Sequence, residues 1–317
     1  MEIEIKQDLA LTEAQNTLLD MHSFLNTLNV WVGELQVMQL TTDDPSALAR
    51  SLTRSRQVQS LLESPAGHRQ LGAVLQNAES EFEEELRDYL DRHPQWRNDA
   101  EFEESVKNIR SVLKVLARRV AEYTARMDDD GAWRPLDVPQ LLDSFRNFLA
   151  AVEKNSKGRY RIIFNIAAQE VSDYVVNLRV ESVDGATITM PLVFQDVFRD
   201  LFANARKYTP PGGIINAGVL DDGRHLRLVV EDTGRGIPPE ELPRVVEFGY
   251  RASNAANVRG MGGGFGLTKA YAVTRQHGGR MWIRSVVGVG TRVTIHIPRP
   301  AQRAVRAGSA PSAAMAA

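Results

Sequence analysis

The sequence predicts an α + α/β chain: a bundle of long helices carrying an inserted helical hairpin, followed by an α/β sandwich. Two observations carry this reading. In the first 130 residues apolar side chains recur at alternating steps of three and four in two long stretches, and after Trp133 the texture changes to short β-rich runs interleaved with amphipathic helices. With 317 residues and a hydrophobic fraction of 43%, the chain has enough apolar surface for two packed cores.

The first stripe is Leu11, Ala14, Leu18, Met21, Leu25, Leu28, Val32 and Leu35. The second is Phe102, Val106, Ile109, Leu113, Leu116, Val120, Tyr123 and Met127, ending before the helix-hostile Asp128-Asp129-Asp130-Gly131. Each stripe is wide enough for a partner, so the economical arrangement is an antiparallel pair that forms a homodimeric four-helix bundle. A bundle closed within one chain is the alternative, because periodicity does not count chains. Residues 41–100 make an interval too long for a turn, yet they keep helical spacing. Leu48, Leu52, Leu61 and Leu62 precede a break at Pro65-Ala66-Gly67, and Leu71, Leu75, Ala78, Phe82 and Leu86 follow it before His93-Pro94. This reads as an inserted hairpin, with the acidic run Glu79 to Glu85 as its solvated face or, alternatively, a partner-docking patch.

In the second half, strands are expected within 160–167, 174–181, 214–220, 226–232, 281–285 and 291–297, and helices near 140–154, 193–207 and 267–276. That alternation predicts helices on one face of a mixed sheet. The expected divisions are 1–130 for the helical half, 131–299 for the sandwich and 300–317 for a disordered tail rich in Ala, Ser, Gly and Pro.

Lysine plus arginine (38) nearly balances aspartate plus glutamate (40), so bulk charge gives no reason to expect nucleic acid as a partner. The sequence shows no membrane span and no secretory leader, which makes the cytoplasm the expected location. Without cysteine there are no disulfides, thiolate metal sites or thiol nucleophiles.

Four segments of the second half carry chemistry. On a helix, Asp200, Asn204 and Lys207 fall at i, i+4 and i+7 on one face, followed by Tyr208. An amide oxygen there can ligate magnesium beside a triphosphate, and an ammonium one turn on can meet phosphate. After a strand comes Asp232-Thr-Gly234-Arg-Gly236-Ile237, where a carboxylate at a strand end can accept a hydrogen bond from an exocyclic amine. Next is Gly260-Met-Gly262-Gly263-Gly264-Phe265-Gly266-Leu267 leading into a helix, a setting that exposes amides to phosphate. Last is Gly288-Val-Gly290-Thr291, by itself a hairpin turn.

In this order the segments resemble the N, G1, G2 and G3 boxes of the gyrase, heat-shock chaperone, histidine kinase and MutL ATPase superfamily. Glu247-Phe248-Gly249-Tyr250-Arg251 stands where the kinases have their F box, and His277-Gly278-Gly279 where they have a matching turn. The resemblance implies a Bergerat-type (GHKL) ATP-binding domain, with ATP and Mg2+ as cofactors. It further implies metal ligation by Asn204, phosphate contacts from Lys207, adenine recognition by Asp232 and a mobile lid between Gly236 and Gly266. Asp200 departs from the kinase pattern, which usually has asparagine there; it can serve as a metal ligand or as a base.

In the N-terminal helix, His22 is followed one turn later by Asn26 on the same flank. Neutral imidazole is a good nucleophile, and an amide can orient it. The segment His22-Ser-Phe-Leu-Asn26-Thr-Leu28 resembles the phosphoacceptor pattern of citrate- and fumarate-type sensor kinases and the sporulation phosphotransferase. This implies a histidine kinase that phosphorylates His22 and passes the group to an aspartate of a response-regulator receiver domain, with a separate sensor protein as a further possible partner. The other readings are an ATP-binding regulatory scaffold and a serine/threonine kinase of the same superfamily using Asp200 as base. Those families usually carry an acid directly after the histidine, whereas here Ser23 follows, which predicts slow autophosphorylation unless an acid arrives from elsewhere in the fold.

Overall fold

The computed structural model describes residues 2–63, 65–127, 131–154, 156, 158–255 and 263–300, apart from the side chains of Ser23, Asn26, Pro65, Glu122, Ala125, Arg126 and Met127. The expected tail, Gly262 and the side chain of Asn26 therefore lie outside the described residues.

The chain opens with strand β1 (Glu2–Glu4) and helix α1 (Glu13–Thr41). A capping box starts α1: the Thr12 hydroxyl accepts from the Gln15 amide at 3.2 Å, and the Gln15 side chain accepts from the Thr12 amide at 2.9 Å. The fully buried stripe of α1 is Met21, Phe24, Leu28, Trp31, Leu35 and Met38, a heptad seam rotated from the expected one. Leu18, Leu25 and Val32 are half-buried on its flank. The larger rings of Phe24 and Trp31 occupy the centre of the bundle and set the rotation.

The insertion is more than a hairpin. It comprises α2 (Ala49–Leu61), α3 (Pro65–His68), α4 (Leu71–Gln76) and α5 (Ala78–Arg92), followed by a 3-10 turn, Pro94–Asn98, and the return helix α6 (Ala100–Met127). Helix α6 lies against α1, α2 packs on α1 and α5, and α4 packs on α6. Together they bury one core that includes Met21, Leu28, Leu35, Ile109, Leu116 and Val120. The α6 seam is thus covered within one chain, whereas Leu11, Leu18, Leu25 and Val32 of the first expected seam are only half-buried.

The acidic run is the expected solvated face only in part: Glu84 is exposed, but Glu81, Glu83 and Glu85 are bound to other helices. Glu85 is buried and accepts from the Arg50 amide (2.6 Å), the Ser51 amide (2.8 Å) and the Ser51 hydroxyl (2.6 Å). Helix α2 begins at Leu48 in a left-handed conformation (φ 52°) with no side-chain cap of its own, so Glu85 caps it from across the insertion. Glu81 pairs with Arg54 of α2, and Glu83 with Arg110 of α6 at 2.6 Å.

The second half holds β2 (Trp133–Asp137), α7 (Val138–Lys154), β3 (Ile162–Ile163), β4 (Tyr174–Ser182), β5 (Thr187–Pro191), α8 (Val193–Tyr208), β6 (Ile214–Asp221), β7 (His225–Asp232), α9 (Gly266–Gln276), β8 (Arg280–Val286) and β9 (Gly290–Pro298). A seven-stranded sheet runs β1-β8-β9-β7-β6-β4-β3, with β2 and β5 as a separate pair. The β3–β4 and β4–β6 pairings are parallel and the others antiparallel, the mixed sheet that was expected. Phe145, Phe194, Phe198 and Phe202 of α7 and α8, with Tyr271 of α9, share one core with Ile215, Leu228, Ile283 and Ile295 of the sheet.

Three features went unread in the sequence. The β2–β5 pair frames the entry to α7, the run from Tyr160 shortens to a two-residue strand followed by a 3-10 turn, and β1 joins the far sheet. Glu2–Glu4 lie within the segment assigned to the helical half, yet they pair with Trp282–Arg284 of β8, and Ile5 enters the sandwich core.

Candidate active site

A cleft of about 1660 Å³ opens between the helical half and the sandwich, and both contribute to its walls. From α8 come Asp200, Asn204, Lys207 and Tyr208, all on the face expected from their spacing. Asp232, Gly236 and Ile237 line it from the end of β7, Thr291 from β9 and Arg251 from the F-box segment. Gly264, Phe265, Gly266 and Leu267 contribute at the start of α9. Gly234 and Gly263 do not line the cleft.

Their places have physical reasons. A Cβ on Gly234 would stand 2.6 Å from both the Asp232 carboxylate and the Tyr208 carbonyl, so only glycine lets the turn close behind the acid. A Cβ on Gly263 would strike the ring of Phe265. Gly264 has φ +81° and packs against the Tyr250 and Gly249 backbone, which sets the approach to α9. Just after Gly236, the Ile237 amide donates to the Ser285 hydroxyl at 2.8 Å, and Ser285 in turn contacts the Thr291 hydroxyl at 2.9 Å.

Asp232 accepts from the Gly234 amide at 2.8 Å and the Thr291 amide at 3.3 Å. Burial outweighs these bonds and pushes its pKa up to about 6. Burial also lowers the pKa of Lys207, helped by the nearby Arg251 and Arg206. Arg206, Lys207 and Arg251 thus stand close enough in the cleft wall for the arginine charges to act on the lysine. Asp200 stands near the opposite charge: the buried Lys269 lies 3.5 Å from it and 3.8 Å from Asp196. Burial raises the pKa of Asp200, with Lys269 opposing.

His22 reaches this cleft from α1. Its ring meets that of Phe265 edge-to-face, with centroids 4.8 Å apart and planes at 80°, and Phe265 also packs on Phe248 at 4.7 Å. Burial lowers the pKa of His22, Asp200 raises it, and Lys269 and Lys207 lower it further. Burial thus favours the neutral imidazole, and the charge of Asp200 opposes it. The sequence left room for an acid from elsewhere in the fold and offered Asp200 as a base, but spacing alone did not bring that residue, on α8, to His22. Lys269, Ser285 and the contact of Phe265 with His22 were also missed. Lys269 follows the glycine loop at helical spacing, the one signal that pointed to it.

Residues 189–301 match the family model for the histidine kinase-, DNA gyrase B- and HSP90-like ATPases. The sandwich is an ATPase domain of the histidine kinase type. The phosphate regulon sensor protein PhoR of Pseudomonas aeruginosa is 33% identical over 210 residues, covering 65% of this chain and 41% of PhoR. The signal transduction histidine-protein kinase/phosphatase MprB of Mycolicibacterium vanbaalenii is 26% identical over 264 residues, 82% of this chain and 49% of that protein. The latter match is longer than the ATPase domain and so takes in part of the helical half. The chain spans less than half the length of these relatives. Among solved structures, a mycobacterial sensor histidine kinase MprB aligns at 24% identity over 53% of this chain and 99% of that one, with a TM-score of 0.38. Among the described residues no helix is long and apolar enough to cross a membrane.

Proposed function

We propose that this chain is an ATP-dependent histidine kinase that phosphorylates its own His22 and hands the group to an aspartate of a response-regulator receiver domain, in the cytoplasm where ATP is available. The observation that carries the proposal is His22 lining the same cleft as Asp232, Asn204 and Lys207. Asp232 reads the adenine amine, and Gly236, Ile237 and Thr291 shape the floor beneath the base. Lys207 and Arg251 face the phosphates, as do the amides of Gly264 to Leu267 at the start of α9.

Magnesium suits the oxygen donors on this wall. The Asn204 amide oxygen is the first candidate ligand and the Asp200 carboxylate, already balanced by Lys269, the second. When bound, the ion neutralises phosphate charge. A ring nitrogen of His22 would bond to the γ-phosphorus as the bond to the bridging oxygen breaks, ADP leaving with that electron pair, and the proton of the second ring nitrogen would go to Asp200 where that carboxylate is not a metal ligand, and otherwise to water. Asn26 belongs to this reading as the amide that orients the ring. The homodimer and a separate sensor protein remain candidate partners, since relatives of this kind are named sensors.

Incubation with γ-labelled ATP and magnesium tests the reading. An acid-labile, base-stable label on the chain that disappears in His22→Ala is expected. Acid-stable label on another protein would favour the serine/threonine kinase, and nucleotide binding with no transfer would favour the scaffold.

A further inference from the structure

The wall of the cleft that carries Asn204 and Lys207 also carries acids. Asp200 stands one helical turn before Asn204 on the same face of α8, Asp196 stands one turn before that, and both line the cleft. Two carboxylates at this spacing repel each other, and both would repel a polyphosphate laid along the helix. Two cations answer them. Arg199 lies 3.4 Å from Asp196 and donates to the Ser144 hydroxyl of α7 at 3.0 Å. Lys269 of α9 puts its ammonium 3.5 Å from Asp200 and 3.8 Å from Asp196. With Asp196 already met by Arg199, the charge of Lys269 falls mainly to Asp200. Arg119 of α6 also acts on Asp200, more weakly than Lys269 does.

The place of Lys269 is unfavourable for a lysine on two counts. Its side chain is only 8% exposed, and a buried ammonium is costly unless it is paired. It is also the fourth residue of α9, where a cation opposes the positive end of the helix dipole. An apolar side chain would fill the α8–α9 interface without either cost, so packing does not account for the ammonium. We infer that Lys269 is a positioning residue of the nucleotide site: its ammonium neutralises the Asp200 carboxylate and holds it toward α9, so that this wall accepts a polyphosphate despite the acid within it. This rests on the reading of the cleft as a nucleotide site and adds the residue that makes Asp200 compatible with it. All four charged groups, Asp196, Arg199, Asp200 and Lys269, belong to α8 and α9 of the ATPase domain.

The test measures ADP binding to the full-length chain by calorimetry in the presence of a chelator, so that no metal masks the carboxylate. Lys269→Met keeps the stem and removes the charge, and affinity for ADP is expected to fall on the order of tenfold. Adding Asp200→Asn removes the stranded acid, and the double variant should return to within about twofold of wild type. Asp200→Asn alone should bind ADP at least as tightly as wild type. A role confined to packing α9 would weaken ADP binding in the single and the double variant alike, so a double variant that stays weak overturns the inference. A Lys269→Met chain that binds ADP like wild type, or an Asp200→Asn chain that binds it less well, overturns it too. Lys269→Gln takes the place of the methionine variant should that chain fail to fold. A wild type that binds no ADP sinks the nucleotide reading along with the inference, whereas failure of the double variant to recover sinks the inference alone.

Discussion

Asp232, the proposed adenine acceptor, shows how a buried carboxylate costs stability. Its pKa rises from 3.8 to about 6 because burial outweighs two backbone donors. For an acid with a raised folded-state value, the native state holds more protons than the unfolded state between those two pH values, so stability falls as pH rises through the window. Above pH 6 the full penalty of the buried charge is present. Asp232→Asn keeps an acceptor for Gly234 and Thr291 and removes the charge, so it should stabilise the ligand-free protein at pH 7 by about 1–3 kcal/mol. The gain should vanish as pH falls from 6 to 4, as measured by denaturant unfolding. Nucleotide binding should move the other way. Affinity in the wild type is expected to weaken as pH drops below about 6, when the acceptor protonates, and titration calorimetry on Asp232→Asn should give weaker binding without that pH dependence.

At the scale of elements, Glu85 is the case where one side chain decides whether a helix starts. Without it the first amides of α2 have no side-chain acceptor, because Leu48 offers none. Glu85→Ala should therefore cost on the order of 2–3 kcal/mol, with loss of amide protection concentrated at Arg50 and Ser51. A variant of wild-type stability would show that water replaces the carboxylate at no cost. The same glutamate explains a limit of the sequence reading. A run of acids is locally indistinguishable from a solvated face, and its partners Ser51, Arg54 and Arg110 lie 27 to 34 residues away. The rotation of the α1 seam was hidden for a related reason, since leucines lie on both flanks and only packing selects Phe24 and Trp31 for the centre. By contrast, the helix face of Asp200, Asn204 and Lys207 and the strand-end position of Asp232 were legible, because each depends on spacing within one element.

Across the whole molecule, the chain passes between the two halves twice, once after β1 and once after α6. The first crossing was invisible in the sequence: a three-residue strand gives almost no periodicity, and Ile5 declares its side only when the edge of β8 is available to pair with it. Its ties are several. The Ile5 amide donates to the Met281 carbonyl at 2.9 Å, the Tyr271 hydroxyl donates to the Gln7 carbonyl at 2.6 Å, and Glu4 holds Arg280 at 2.6 Å. A short second tether restricts the distance between His22 and the cleft and so raises the effective concentration of the imidazole there. Ile5→Ala removes most of the buried apolar anchor of that tether, about 2–4 kcal/mol of packing, while leaving the cleft's own walls in place. We expect β8 amides to exchange faster in this variant and labelling of His22 to slow, with nucleotide affinity unchanged. Unaltered labelling alongside faster exchange would mean that the contact of His22 with Phe265 holds the two halves together without help from β1.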